Sequence, residues 1–172
     1  MIYNSENNPI LKSMFIGIGN EYRNDDGVGI YIVRKLTKLN RDVNTVELSG
    51  EGTELMEIWK NAKEVYIFDA VRSREKPGTI FEFDANQAKI PSNFFNYSTH
   101  NFSLAEAVEL SRTLDQLPPT FKIFGIEGSN FSEGSQLSPE VKATADKFLQ
   151  NIFINSSLRD KFKIKDDTFN CL

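Results

Sequence analysis

Short apolar runs alternate along this chain with segments in which apolar residues recur at helical spacing. The runs are rich in Val, Ile and Phe and end in polar or glycine-containing segments, as buried β-strands do. We predict strands over residues 13–19, 43–48, 64–69, 79–83 and 121–126. We predict helices over residues 26 to about 36, near 53–60, from 103 to a stop at Pro118 and Pro119, and from 138 to about 153.

Two of the predicted helices carry specific start signals. Ser103 is followed three residues later by Glu106, a spacing at which each side chain can accept a hydrogen bond from the backbone N–H of the other residue. Ser138 precedes Pro139 and Glu140. This order combines a capping serine, a proline at the first helical position and an acid at the positive end of the helix dipole.

The alternation of strands and helices predicts an α/β fold. We expect a three-layer α/β/α sandwich, with a mostly parallel five-stranded sheet and helices on both faces. One domain should cover residues 13–154. A polar lead-in over residues 1–12 and a polar C-terminal extension over residues 155–172 flank it.

Acidic residues follow or end several of the predicted strands. Asp26 comes after the first strand, Glu51 after the second, Asp69 at the end of the third and Glu127 after the fifth. Sheets of this type bind ligands at the carboxyl ends of their strands. We therefore expect the acids to collect along one edge, which His100 could reach from a long loop. Among them, we expect Glu127 to have a structural role.

Composition and charge argue against several classes of protein. The 172 residues include 20 basic and 24 acidic side chains, for a net charge of −4, which gives no positive patch for nucleic acid or an anionic membrane. No apolar run reaches the roughly 18 to 20 residues of a membrane span, and the first residues are too polar for a signal peptide. We expect a cytoplasmic monomer without nucleic-acid or membrane partners.

The chain has one cysteine, Cys171, and one histidine, His100. A single cysteine excludes an internal disulfide and a zinc site of the CxxC type. A metal bound through imidazole within one chain would need carboxylates as its other ligands. A set of two Asp and one His can hold a divalent transition ion such as nickel or zinc and leaves coordination positions open. A partner protein could supply the ligands for these open coordination positions.

Several common catalytic and cofactor motifs are absent. The chain contains no GxxxxGK[ST], GxSxG or HExxH sequence, which disfavours a P-loop, an α/β-hydrolase and a zinc protease of that type. Residues 17–22 begin like a dinucleotide fingerprint but have Tyr22 in place of the third glycine. Acids at residues 25 and 26 would also repel a pyrophosphate. A nucleotide- or flavin-binding domain is therefore the less favoured alternative.

Four motifs, in this order along the chain, resemble those of the hydrogenase maturation proteases. They are GIGNEYRNDDGVG at residues 17–29, FDA at 68–70, STHN at 98–101, and GIE at 125–127 followed by LSPEV at 137–141. The resemblance covers roughly residues 15–148. It implies a nickel-dependent endopeptidase that removes a C-terminal extension from the large subunit of a nickel-iron hydrogenase after the metal centre is loaded.

The resemblance assigns the metal-contacting and catalytic roles to Asp26, Asp69 and His100. It implies nickel as the cofactor, supplied by the bound substrate, so that the site of the resting protein can be empty. It also implies the hydrogenase large-subunit precursor as the partner. Many relatives have an Asp in a D-G-G-T loop after the second strand, whereas this chain has Gly50 there and Glu51 one residue later. Glu51 could serve in place of that Asp from the neighbouring position.

We hypothesise that Asp26, Asp69 and His100 recognise nickel already held by cysteine thiolates of the precursor. The metal could also polarise the scissile carbonyl or activate a water molecule, with a carboxylate as general base. A non-catalytic nickel-sensing chaperone would use the same ligands and is the alternative. Taken singly, Asp26 could complement a helix dipole, Asp69 could cap a turn and His100 could bond to backbone.

Overall fold

A computed structural model describes residues 13–39, 43–91, 94 and 102–154. Over these residues the chain forms β1 (Ser13–Ile18), α1 (Val28–Leu39), β2 (Thr45–Leu48), α2 (Gly52–Trp59), β3 (Glu64–Val71), β4 (Ile80–Asp84), α3 (Leu104–Thr113), β5 (Thr120–Glu127) and α4 (Pro139–Ile154). Each of these elements was predicted from the sequence. None of the helices within the described ranges is long and apolar enough to cross a membrane.

The strands form one sheet in the order β2-β1-β3-β5-β4. β1, β2, β3 and β5 are parallel, and β4 pairs with β5 in the antiparallel direction at the edge. From β1 the chain goes to β2 on one side, and from β3 it goes to β4 and β5 on the other side. The junction between β1 and β3 is therefore the switch point at which open α/β sheets form a ligand crevice.

The helices cover both faces of the sheet, which confirms the predicted three-layer fold. On the central strand β3, Val65 and Ile67 join the core on the side of α2 and α3, whereas Tyr66 and Phe68 join the core on the side of α1 and α4. Because β3 is buried on both faces, its sequence is an almost continuous apolar run. Trp59 is fully buried in the first of these cores.

Two helix boundaries differ from those predicted. The first helical segment begins as a 3₁₀ turn, Asn24–Gly27, and becomes α-helical at Val28. Helix α3 ends at Thr113, before the two prolines. Asp115 has a φ of 53°, which a right-handed helix cannot accommodate. The capping box at the start of α3 is confirmed, since the backbone N–H of Ser103 donates to the Glu106 carboxylate at 2.7 Å.

Candidate functional site

The loop after β1 folds Asp26 back toward the end of that strand. Gly19 has a φ of 136°, which glycine tolerates best, and a Cβ at this position would lie 1.7 Å from the carbonyl oxygen of Asp26. The backbone N–H of Asn20 donates to Oδ2 of Asp26 at 2.9 Å. Only glycine fits at residue 19, and the resulting close approach fixes the half-buried Asp26 carboxylate beside the carboxyl end of β1.

Helix α1 begins directly above the switch point. A Cβ on Gly29 would lie 2.2 Å from the carbonyl oxygen of Phe68 and 2.4 Å from that of Ile18. The first turn of α1 is therefore in close contact with the backbone of both β1 and β3. This packing brings the preceding 3₁₀ turn, which carries Asp26, to the end of β3 as well as to the end of β1.

Asp69 lies on β3, opposite Gly125 of β5. The strand was predicted to end at Asp69 but continues to Val71, because both neighbouring residues keep the extended pairing with β5. The Asp69 side chain is half-buried, and its Oδ1 accepts a hydrogen bond from the N–H of Ala70 at 2.7 Å. Burial and the negative charge of Asp26 raise the pKa of Asp69 well above its ordinary value.

Burial also raises the pKa of Asp26, although the Asn20 N–H and the positive charge of Arg23 act in the opposite direction. Asp26 and Asp69 thus form a pair of neighbouring carboxyl groups whose ionised forms are both disfavoured. A cation bound between them would offset the desolvation and the mutual repulsion. The pair therefore fits a divalent ion, and a carboxyl group with a raised pKa also suits proton transfer near neutral pH.

His100, the third residue of the predicted set, lies outside the described residues, as do Ser98 and Cys171. The next described residue after it, Phe102, accepts a hydrogen bond from the N–H of Gly52 at 3.0 Å, at the carboxyl edge of the sheet. Within the described residues, no three His, Cys, Asp or Glu side chains are grouped to hold a metal ion. A three-ligand site thus requires a further residue such as His100.

Glu51 caps helix α2. Its carboxylate accepts hydrogen bonds from the N–H groups of Thr53 at 3.1 Å and Glu54 at 2.9 Å, and from the Thr53 hydroxyl. These bonds satisfy backbone donors at the helix start. The observed contacts of Glu51 therefore cap helix α2, and a role for Glu51 in place of the loop Asp of the relatives stays a prediction.

Glu127 has the structural role that the sequence predicted. Only 2% of it is exposed, and its carboxylate accepts hydrogen bonds from the backbone N–H groups of Ser73 and Arg74, both at 2.9 Å. The Ser73 hydroxyl donates to the same carboxylate at 2.7 Å. These contacts fasten the loop after β3 to the end of β5, close to Asp69.

Asp25 is buried and does not cap the helical segment in which it lies, whose N-cap position is Arg23. The Asp25 side chain is fully buried and accepts hydrogen bonds from the backbone N–H groups of Ser129 at 2.9 Å, Asn130 at 2.8 Å and Ser138 at 2.6 Å. Burial acts to raise the pKa of Asp25, but these bonds outweigh it and lower the pKa. Asp25 thus anchors the loop between β5 and α4 beside the candidate site.

Comparisons with known proteins agree with this architecture. The sequence model of the hydrogenase maturation protease family matches residues 30–154. Hydrogenase 2 maturation protease of Escherichia coli is 25% identical over 147 residues, or 83% of this chain and 88% of that protein. A putative hydrogenase maturation protease of Methanocaldococcus jannaschii is 26% identical over 147 residues, or 81% of this chain and 92% of that protein.

Solved structures share the fold. The hydrogenase maturating endopeptidase HybD from Escherichia coli superposes with a TM-score of 0.72 at 24% identity, covering 88% of this chain and 94% of that chain. The NiFe hydrogenase maturation protease HybD from Thermococcus kodakarensis superposes with a TM-score of 0.60 at 23% identity, covering 84% of this chain and 98% of that chain. The predicted three-layer sandwich is thus also the fold of these two proteins.

Proposed function

The chain belongs to the hydrogenase maturation protease family, and we propose that it removes the C-terminal extension from the large-subunit precursor of a nickel-iron hydrogenase after nickel insertion. The observation that carries the proposal is the Asp26 and Asp69 pair at the switch point, where burial and the charge of Asp26 raise the pKa of Asp69. A crevice at this position is where open α/β sheets bind their ligands.

In this proposal the nickel is part of the substrate. It arrives bound to cysteine thiolates of the precursor, and Asp26, Asp69 and His100 contact it there. Two half-buried carboxylates that repel each other hold a cation only weakly without further ligands, and the precursor supplies those ligands. The endopeptidase therefore engages the loaded precursor in preference to the empty one, so that cleavage follows nickel insertion.

The carboxyl groups of Asp26 and Asp69 then take part in hydrolysis of the peptide bond. When bound, nickel would polarise the scissile carbonyl or lower the pKa of a water molecule. Because its pKa is raised, Asp69 can take a proton from the attacking water and return it to the amide nitrogen that leaves. Asp26 accepts a hydrogen bond from the Asn20 N–H. It ionises more readily than Asp69 and supplies the negative charge of the site.

The test is incubation of the purified chain with the nickel-loaded precursor, followed by mass spectrometry of the large subunit. The proposal predicts that the large subunit loses the mass of its C-terminal extension. An unchanged mass together with a stable complex would instead favour the nickel-sensing chaperone. An Asp26→Asn variant under the same conditions reports whether any cleavage depends on the candidate site or on a contaminating protease.

A further inference from the structure

An open cleft of about 640 Å³ lies beside Asp26, within the roughly 300 to 1,000 Å³ that is usual for ligand sites. One wall is formed by Asn20, Tyr22 and Arg23, and the other by residues 131–135 of the loop between β5 and α4. Asn20 lies at the end nearest the candidate site, because its backbone N–H donates to the Asp26 carboxylate. One lining residue of the cleft, Asn20, is therefore in direct contact with one member of the acid pair.

Hydrogen bonds join the two walls of the cleft. The N–H of Asn24 donates to the carbonyl oxygen of Gly134 at 2.8 Å, and the N–H of Gly134 donates to that of Tyr22 at 2.9 Å. The Asn24 side chain donates to the carbonyl oxygen of Ser132 at 3.1 Å, and Asp25 anchors both ends of the same loop. The cleft is thus formed before any ligand binds, which reduces the entropy lost on binding.

The lining combines an aromatic surface with a positive charge. Tyr22 is 71% exposed, and exposed aromatic side chains often act as anchors in protein interfaces. The Arg23 guanidinium donates to the carbonyl oxygen of Phe131 at 3.1 and 3.2 Å. None of the ion pairs found among the described residues includes Arg23, and its positive charge acts on Asp26 as well as on any acceptor bound in the cleft.

We propose that this cleft docks the C-terminal extension of the precursor, the peptide segment directly beyond the scissile bond. An apolar side chain of the extension packs against Tyr22 and Phe131, and a backbone carbonyl or carboxylate of the extension accepts a hydrogen bond from Arg23. Because Asn20 both lines the cleft and contacts Asp26, a segment bound there would lie next to the bond that is cut. This inference rests on the proposed function.

Kinetics on the full-length nickel-loaded precursor test the docking. Tyr22→Ala and Arg23→Gln should each raise KM by roughly tenfold, with a smaller effect on kcat, because both remove contacts made before the chemical step. Tyr22→Phe should restore most of the affinity. Leu114→Ala is the matched control, since Leu114 is an apolar side chain, 50% exposed, on α3. A KM within twofold of wild type in both cleft variants would overturn the proposal.

Photo-cross-linking separates this inference from the proposed function. A photoreactive amino acid replaces exposed Ser135 inside the cleft, and the control replaces exposed Glu57 on α2. The residue at position 135 should cross-link to the extension of the nickel-loaded precursor, and the residue at 57 should not. If the precursor is cleaved but cross-links map elsewhere, the docking proposal fails alone. If the precursor is neither cleaved nor cross-linked, both proposals fail.

Discussion

Burial, together with the negative charge of Asp26 across the junction between β1 and β3, raises the pKa of Asp69. Asp26 reaches this junction because Gly19 lets the loop after β1 contact the Asp26 backbone closely. Asp69 reaches it because β3 lies between β1 and β5 in the sheet. Two acids from separate parts of the sequence therefore share one partly buried site, and the proposed cleavage depends on that arrangement.

Removal of the Asp69 carboxylate should abolish processing without unfolding the protein. We expect Asp69→Asn to lower the rate of precursor cleavage by roughly 10² to 10⁴-fold, the usual effect of losing a general acid or base. His100→Ala should have an effect of the same order, since the resemblance assigns His100 to the same site. Cleavage is measured from the mass of the large subunit, and folding from the circular dichroism spectrum and Tm.

Asp84→Asn is a matched control for Asp69→Asn. Asp84 also lies at a strand end, but it pairs with Lys122 near the start of β5, at the opposite edge of the sheet. Its Oδ1 accepts a hydrogen bond from the N–H of Asn86 at 3.0 Å, which an amide oxygen can also accept. Asp84→Asn should cleave the precursor at the wild-type rate. Normal cleavage by Asp69→Asn would contradict the assigned site.

The stability of the metal-free protein should respond to the raised pKa of Asp69. Between the ordinary carboxyl pKa of about 3.9 and the raised pKa of Asp69, the folded protein holds a proton that the unfolded chain has lost. Rising pH therefore favours unfolding in this range. Asp69→Asn has no such proton. In the presence of a chelator, the Tm of Asp69→Asn relative to that of wild type should therefore increase as the pH rises above about 4, and a difference that does not change with pH would refute the raised pKa.

Substitutions of the adjacent acids Asp25 and Asp26 should affect different properties. The first should lower stability, and the second should abolish cleavage. Asp25→Asn places an amide where the carboxylate accepts three backbone hydrogen bonds, and hydrogen bonds to a buried charge contribute about 1.5 to 3 kcal/mol each. We expect the free energy of unfolding to fall by about 2 kcal/mol or more in urea titrations. Asp26→Asn should change stability by less than about 1 kcal/mol but abolish cleavage. Equal stability of the two variants would contradict the anchoring role of Asp25.

Gly19→Ala should disturb the site through the backbone. The new Cβ would clash with the carbonyl oxygen of Asp26, and the positive φ alone costs roughly 1 to 3 kcal/mol. We expect a lower Tm and slower cleavage. Gly27→Ala is the comparison, because a Cβ there meets its nearest atom, Cα of Glu21, at 3.0 Å and φ lies outside the left-handed region. A smaller loss for Gly19→Ala than for Gly27→Ala would contradict the close approach.

The features predicted from the sequence are those that local patterns determine. The apolar run of β3 and the capping box at Ser103 and Glu106 depend on neighbouring residues, so the elements they indicate were found. The meeting of Asp26 and Asp69 at one edge followed from the rule that parallel strands place their carboxyl ends together.

The missed role of Asp25 depends on distant contacts. Asp25 bonds to Ser129, Asn130 and Ser138, and no short-range pattern relates these residues to it. Hydrogen bonds to Thr53 and Glu54 give Glu51 a capping role, which the comparison with a loop Asp did not predict. The role of His100 stays a prediction, since that residue lies outside the described ranges.

The central claim is that the chain cleaves the large-subunit precursor only after nickel insertion. The most direct measurement compares the mass of the large subunit after incubation with this protein, for nickel-loaded and nickel-free precursor in parallel. The account predicts loss of the C-terminal extension from the loaded precursor and no loss from the nickel-free one. Equal cleavage of both forms would contradict nickel recognition, and cleavage of neither would contradict the endopeptidase assignment.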